Sequence, residues 1–124
     1  MQVDQLQAYC LSKKGTTEEM PFDNETLVFK VMGKMFMLLG LERWERGEPS
    51  INVKCDPQKA IELREEYDGT VTGAWHMSKT HWNTIHLHQQ MSDAVVLEWI
   101  DHSYDLVVSG LTKKVQAQLK DLPN

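Results

Sequence analysis

No apolar run in this chain approaches the length of a bilayer span, so a transmembrane helix is not expected. The opening residues, Met1 to Gln7, carry neither a basic head nor an apolar stretch; the sequence shows no secretory signal, and a cytoplasmic location is expected. Cysteine is scarce. Cys10 and Cys55 lie far apart and outside any CxxC pair, so they read as two small buried hydrophobes rather than a disulfide or a metal clip. The sequence contains no GxGxxG, GxxxxGKS/T, GxSxG or HExxH, which removes the usual entry points to nucleotide, phosphate-loop, serine-hydrolase and zincin chemistry. A non-enzymatic protein with no cofactor is the expectation. Basic residues are also in deficit: 13 Lys and Arg against 18 Asp and Glu leave a formal charge of −5. A pI near 5.5 argues against a cation-coated binder of the phosphate backbone, so any nucleic-acid contact must come from a local patch.

What is present is ordinary for a globular protein. The 124 residues, 41% hydrophobic and 25% charged, suffice for a single domain, 1–124, with its own core. Val3, Leu6 and Cys10 recur at helical spacing, and Lys13, Lys14 and Gly15 supply the end of that helix. Thr16 to Glu25 reads as a loop with a short edge strand at about 18–22. Leu27 to Gly40 reads as the central hairpin, with a two-residue turn at Gly33-Lys34. That register pairs Met32 with Met35, Val31 with Phe36 and Phe29 with Leu38. It places Leu27, Phe29, Val31, Phe36 and Leu38 on one face, and Val28, Lys30, Met32, Met35, Met37 and Leu39 on the other. The second face is apolar and rich in methionine, which suits an adaptable contact surface.

Glu42 to Pro49 is a charged, exposed connection onto which Trp44 can fold back. Ile51, Val53 and Cys55 alternate with outward Asn52 and Lys54, a half-exposed strand, and Asp56-Pro57 opens a helix that closes at Asp68-Gly69. Two more strands are expected, from Val71 to His76 and from Trp82 to His88. Ser92 caps a long helix whose apolar arc runs through Val95, Val96, Trp99, Ile100, Ser103, Leu106 and Val107, with Trp99 as its expected anchor and His102 at its edge. Gly110 interrupts the pattern, and Thr112 can cap a terminal helix over 113–119. The order helix, strands, helix, strands, long helix predicts an α+β fold, an antiparallel sheet packed with helices.

The stretch from Gly73 to Thr84 is too polar for a core strand and too aromatic for a plain loop. Trp75, His76, Lys79, His81 and Trp82 join flat rings, hydrogen-bonding groups and positive charge, the means to hold anions or bases. Lys79 can meet a phosphate, Trp82 can stack on a base, and His76 and His81 add charge in mild acid. The same residues also read as core tryptophans and loop histidines that satisfy carbonyls.

Several separate blocks resemble the MmcQ/YjbR family of small bacterial proteins: Pro21-Phe22, Val28 to Val31 with Gly33 to Phe36, Lys54 to Pro57, Leu63-Arg64, His76 to Lys79 with His81 to Thr84, and Asp101 to Val107. The resemblance spans the first helix to the last. It implies a YjbR-like α+β fold, similar to the secretion-chaperone-like group and to the double-wing arrangement from which DNA binding has been proposed for the family, and it implies no established reaction. Thr112 stands where the resemblance would place a proline, and Glu42 to Pro49 looks like a variable insertion.

The expected function is therefore a binding module with DNA as the first partner class, using His76, Lys79, His81 and Trp82 near the hairpin lysines Lys30 and Lys34. A protein partner on the methionine-rich face is the second reading. A metal site is the third: His86 and His88 share a strand face, and His76 or His81 could complete three nitrogen ligands. His102, Ser103 and their neighbours Asp101 and Asp105 point in different directions on one helix and form no triad, with the two aspartates on a solvated face. A monomer or weak dimer, with no membrane contact, is expected.

Overall fold

A hairpin with an irregular arm organises the chain. The computed structural model describes residues 1–74 and 77–123. In it β2 (Thr26–Val31) and β3 (Lys34–Gly40) are joined by Met32 and Gly33, both at positive φ, 49° and 85°. Two positive φ values in a two-residue loop match the right-handed twist of the flanking strands, and glycine occupies the second place without strain. The expected turn at Gly33-Lys34 is thus displaced by one residue, and Val31 pairs with Lys34. The ladder then slips: Lys30 faces Met35, Phe29 faces Met37, and Phe36 is the extra residue of a β-bulge.

The bulge lets two consecutive side chains, Phe36 and Met37, enter the main core, where both are fully buried. Leu27, Phe29, Val31 and Leu39 join them, while Val28 and Leu38 go to a second cluster on the other face. The methionine-rich face expected from an unbroken register does not form. Met37 lies within the core with its Sδ 3.7 Å from Cys10 Sγ, and Met32 sits in the turn.

The remaining elements are α1 (Val3–Leu11), β1 (Thr16–Glu19), α2 (Leu41–Glu45), β4 (Ser50–Lys54), α3 (Pro57–Glu66), β5 (Val71–Gly73), β6 (Trp82–His86), α4 (Asp93–Ser109) and α5 (Lys113–Asp121). The sheet order is β1-β2-β3-β4-β6-β5, antiparallel at each pairing. Helices α1, α3, α4 and α5 contribute Leu6, Cys10, Ala60, Leu63, Val96, Ile100, Val107 and Leu119 to the main core; among the described residues, no helix residue belongs to the second cluster. The architecture is α+β, an antiparallel sheet whose helices supply one core.

Local signals account for most boundaries. Asp56, Ser92 and Thr112 cap α3, α4 and α5, their side-chain oxygens accepting the N–H of Lys59, Val95 and Val115. The edge strand lies at Thr16–Glu19, earlier than expected, because Pro21 cannot donate to the ladder. The connection after β3 contains the short helix α2, and Trp44 does fold back, its Nε1 donating to the Ser50 carbonyl at 3.0 Å. Trp99 is only half-buried, edge-on to His102 at 5.1 Å between ring centroids; the buried line of α4 is Val96, Ile100, Ser103 and Val107. Asp101 keeps its side chain 43% exposed but is not left to solvent alone. It accepts the Tyr9 hydroxyl at 2.6 Å and pairs with Lys13 Nζ at 2.5 Å, joining α1 to α4. Among the described residues no helix is long and apolar enough to cross a membrane.

Candidate nucleic-acid interface

The aromatic and basic stretch between β5 and β6 is divided between core and surface. Ala74 donates its N–H to the Trp82 carbonyl at 3.2 Å, and the N–H groups of His81 and Trp82 converge on the Ser78 carbonyl, at 3.3 and 2.9 Å. This tight return lays Ala74, Met77 and Trp82 against Val28 and Leu38. Trp82 is 8% exposed, so it is a packing residue with one edge at the surface rather than an open stacking platform. Trp75 and His76 lie outside the described residues. Lys79 and His81 are exposed, as expected, and the stem of Lys79 lies against Gly73, where an added Cβ would meet its Cγ at 3.0 Å.

Arg64 holds this return in place from α3. Its Nε donates to Asn83 Oδ1 at 2.8 Å and its Nη2 to the Lys79 carbonyl, while buried Asn83 donates from Nδ2 to the Ala60 carbonyl at 3.2 Å. A planar guanidinium can serve two acceptors at once, which a point charge does less well.

A wider concavity lies elsewhere, at the end of the sheet nearest the hairpin turn. About 570 Å³ lies between β-side residues Met32, Lys34, Met35, Lys54 and Trp82 and helix-side residues Leu106, Val107, Gly110, Leu111, Thr112 and Val115. Its two charged side chains are both lysines. Thr112 caps α5 here, and Lys113 and Lys114 follow in the first turn, which contains no acidic residue. The partial positive charge of a helix N-terminus adds to that of the lysines.

A polar pin underlies the cleft. β3 and β4 are paired at Met37 with Val53 and Leu38 with Asn52, and the next step outward is taken by Ser103 of α4. Its buried hydroxyl accepts the Lys54 N–H at 2.9 Å and donates to the Phe36 carbonyl at 2.6 Å. Next to it, His102 Nε2 accepts the Asp56 N–H at 3.2 Å. Burial, then the nearby Lys59 charge, lowers the pKa of His102, and the acceptor role requires the unprotonated nitrogen.

Of the expected site residues, Lys34 and Trp82 reach this cleft. Lys30 does not: it is half-buried and ion-paired with Glu19 of the edge strand. Lys79 instead lines a small recess with Pro57, Ile61, Arg64 and Thr80. Lys54 and the α4–α5 joint were not singled out from sequence. Lys54 carried a signal, the outward place in its strand's alternation, but the convergence of the hairpin turn with α5 has none.

The histidines do not gather. β6 ends at His86, and His88 adopts a positive φ of 60°, which breaks the alternation that would align the two rings. His88 Nε2 lies 3.1 Å from the Met1 carbonyl oxygen, and His86 is half-buried, with a pKa lowered by burial and by Arg43. His81 lies before the start of β6, at the opposite end from His86. No group of three or more His, Cys, Asp or Glu that could hold a metal ion occurs among the described residues.

The YjbR family model matches residues 11–106, from the last residue of α1 to Leu106 in α4. The chain belongs to the YjbR family. It is 38% identical to the Escherichia coli O157:H7 protein YbdF over 100 residues, covering 81% of this chain and 79% of that protein. It is 25% identical to YjbR of Escherichia coli K12 over 122 residues, 98% of this chain and 100% of the relative. Its fold is similar to the crystal structure of a Deinococcus radiodurans protein with a DUF419 domain: TM-score 0.86, 33% identity, 98% of this chain and 89% of that one. A Pseudomonas syringae structure shares the fold at a TM-score of 0.71 and 24% identity, over 86% of this chain and 98% of that one. In this YjbR-family chain the helix-side wall of the cleft beyond Leu106 falls outside the matched region.

Proposed function

We propose that this YjbR-family chain is a non-catalytic nucleic-acid-binding module, with DNA as its partner, acting in the cytoplasm as a monomer or weak dimer. The observation that carries the reading is the charge of the cleft: Lys34 and Lys54 are its charged side chains, in a protein of net charge −5. Local positive charge in an acidic molecule directs an anion to one place. The N-terminus of α5 at Thr112 supports the same polarity. Ser103 and His102 are committed to backbone partners, which favours binding over nucleophilic chemistry. The burial of Met37 in the main core takes one methionine from the face expected for a protein partner, which weighs toward the cleft.

The test is DNA binding by fluorescence anisotropy over a series of salt concentrations. Binding should weaken steeply with salt, and Lys34→Ala with Lys54→Ala should lower the slope of log K against log salt by about 1.5 to 2 while leaving the circular dichroism unchanged. Parental binding by the double variant, or no binding by the parent at low salt, rejects the reading.

A further inference from the structure

We propose that the cleft receives an unpaired base, so that the protein selects single-stranded over duplex DNA; this rests on the nucleic-acid reading above. The argument begins with the chemistry of the lining. Lys34 and Lys54 can neutralise phosphates, but Met35, Trp82, Leu106 and Val115 offer apolar surface. A duplex presents sugar and phosphate outward and keeps the faces of its bases stacked inside. Setting phosphates against methionine and leucine would strip their water without return. An unpaired nucleotide carries both parts, a charged phosphate and a flat, weakly hydrated base, and so matches both parts of the lining.

Shape points the same way. Proteins that read duplex DNA push a helix or a strand pair into a groove. Here the site is a recess of about 570 Å³, a volume typical of pockets that enclose small ligands. A recess cannot enter a groove, but a base turned out of its strand can enter a recess. The half-buried Met35 at the lip supplies a polarisable thioether that adapts to any of the four bases, and the exposed edge of Trp82 supplies a rigid one. Recognition of this kind is tolerant of sequence, since every base has an apolar face.

The experiment compares three probes at about 50 mM salt: a single strand of about 20 nucleotides, the corresponding duplex, and a strand of equal length whose bases are replaced by abasic sites. The single strand should bind at least about tenfold more tightly than the duplex, and the abasic strand should lose about the same factor. Met35→Ala and Leu111→Glu should each weaken binding of the single strand while leaving the circular dichroism of the fold unchanged. Tryptophan emission should be quenched by the single strand, and less so in Trp82→Phe. Equal binding of abasic and base-bearing strands, or of duplex and single strand, overturns the inference. If such unselective binding still depends on Lys34 and Lys54, the nucleic-acid reading stands alone. If no oligonucleotide binds, or only an acidic amphipathic peptide does, both fall.

Discussion

The hydroxyl of Ser103 donates to the carbonyl oxygen of Phe36 at 2.6 Å and so ties the long helix to the bulge of the central hairpin. The Ser103 hydroxyl oxygen in turn accepts the Lys54 N–H, closing the sheet where β3 and β4 part. Ser103→Ala should leave a buried carbonyl and a buried N–H without partners, at a cost of about 1–3 kcal/mol in urea denaturation. A change below about 0.5 kcal/mol would show that water replaces the hydroxyl.

The anchor of α4 is Ile100 rather than Trp99. Ile100 is fully buried, so Ile100→Ala should cost about 2–5 kcal/mol. Trp99→Ala removes a half-buried ring from the edge of the core and should cost less. Denaturation curves of the two variants decide the order, and a larger loss for Trp99→Ala would contradict it.

His102 should make stability depend on pH in a defined direction. Its folded pKa is lowered from 6.5, so the unfolded chain takes up the proton first as pH falls. The contribution is complete above pH 6.5 and is lost as pH falls from there toward the folded value. His102→Gln can still accept the Asp56 N–H through its amide oxygen yet does not titrate. The drop in melting temperature between pH 8 and pH 5.5 should therefore be smaller in the variant than in the parent; an identical drop would show that His102 is not responsible.

Lys30 provides a control for the DNA reading. Its side chain is paired with Glu19 of the edge strand and does not line the cleft. Lys30→Ala should leave the salt slope of DNA binding unchanged and alter stability by less than about 1 kcal/mol, as for most surface ion pairs. A fall in slope equal to that of Lys34→Ala would move the contact surface to the β1–β2 face.

The parts of this fold that were legible in sequence are those set by local chemistry. Asp56, Ser92 and Thr112 cap helices because each has an oxygen within reach of a free N–H. Ile51 and Val53 point inward because a strand alternates. What escaped was set by a single inserted residue. The bulge at Phe36 reverses the parity of Met37 and Leu39, and with it the identity of a whole face. The cleft escaped for a different reason: Lys34, Lys54 and Val115 are far apart in sequence and meet only when the hairpin and α5 are both in place. Spacing carries no record of such a meeting. Trp82 shows the limit of composition as a guide, since a ring suited to stacking is equally suited to packing, and here most of it packs.

The bulge also separates two kinds of constraint along β3. On the far side of Phe36, Met37 and Leu39 answer to the core. On the near side, Lys34 lines the cleft, and Met35 lines it while packing against the Val28 and Leu38 cluster. Because the inward parity is reset at Phe36 itself, a replacement at exposed Lys34 leaves the inward side chains where they are. The wall of the cleft at Lys34 can therefore change in sequence while the core packing below the bulge is kept.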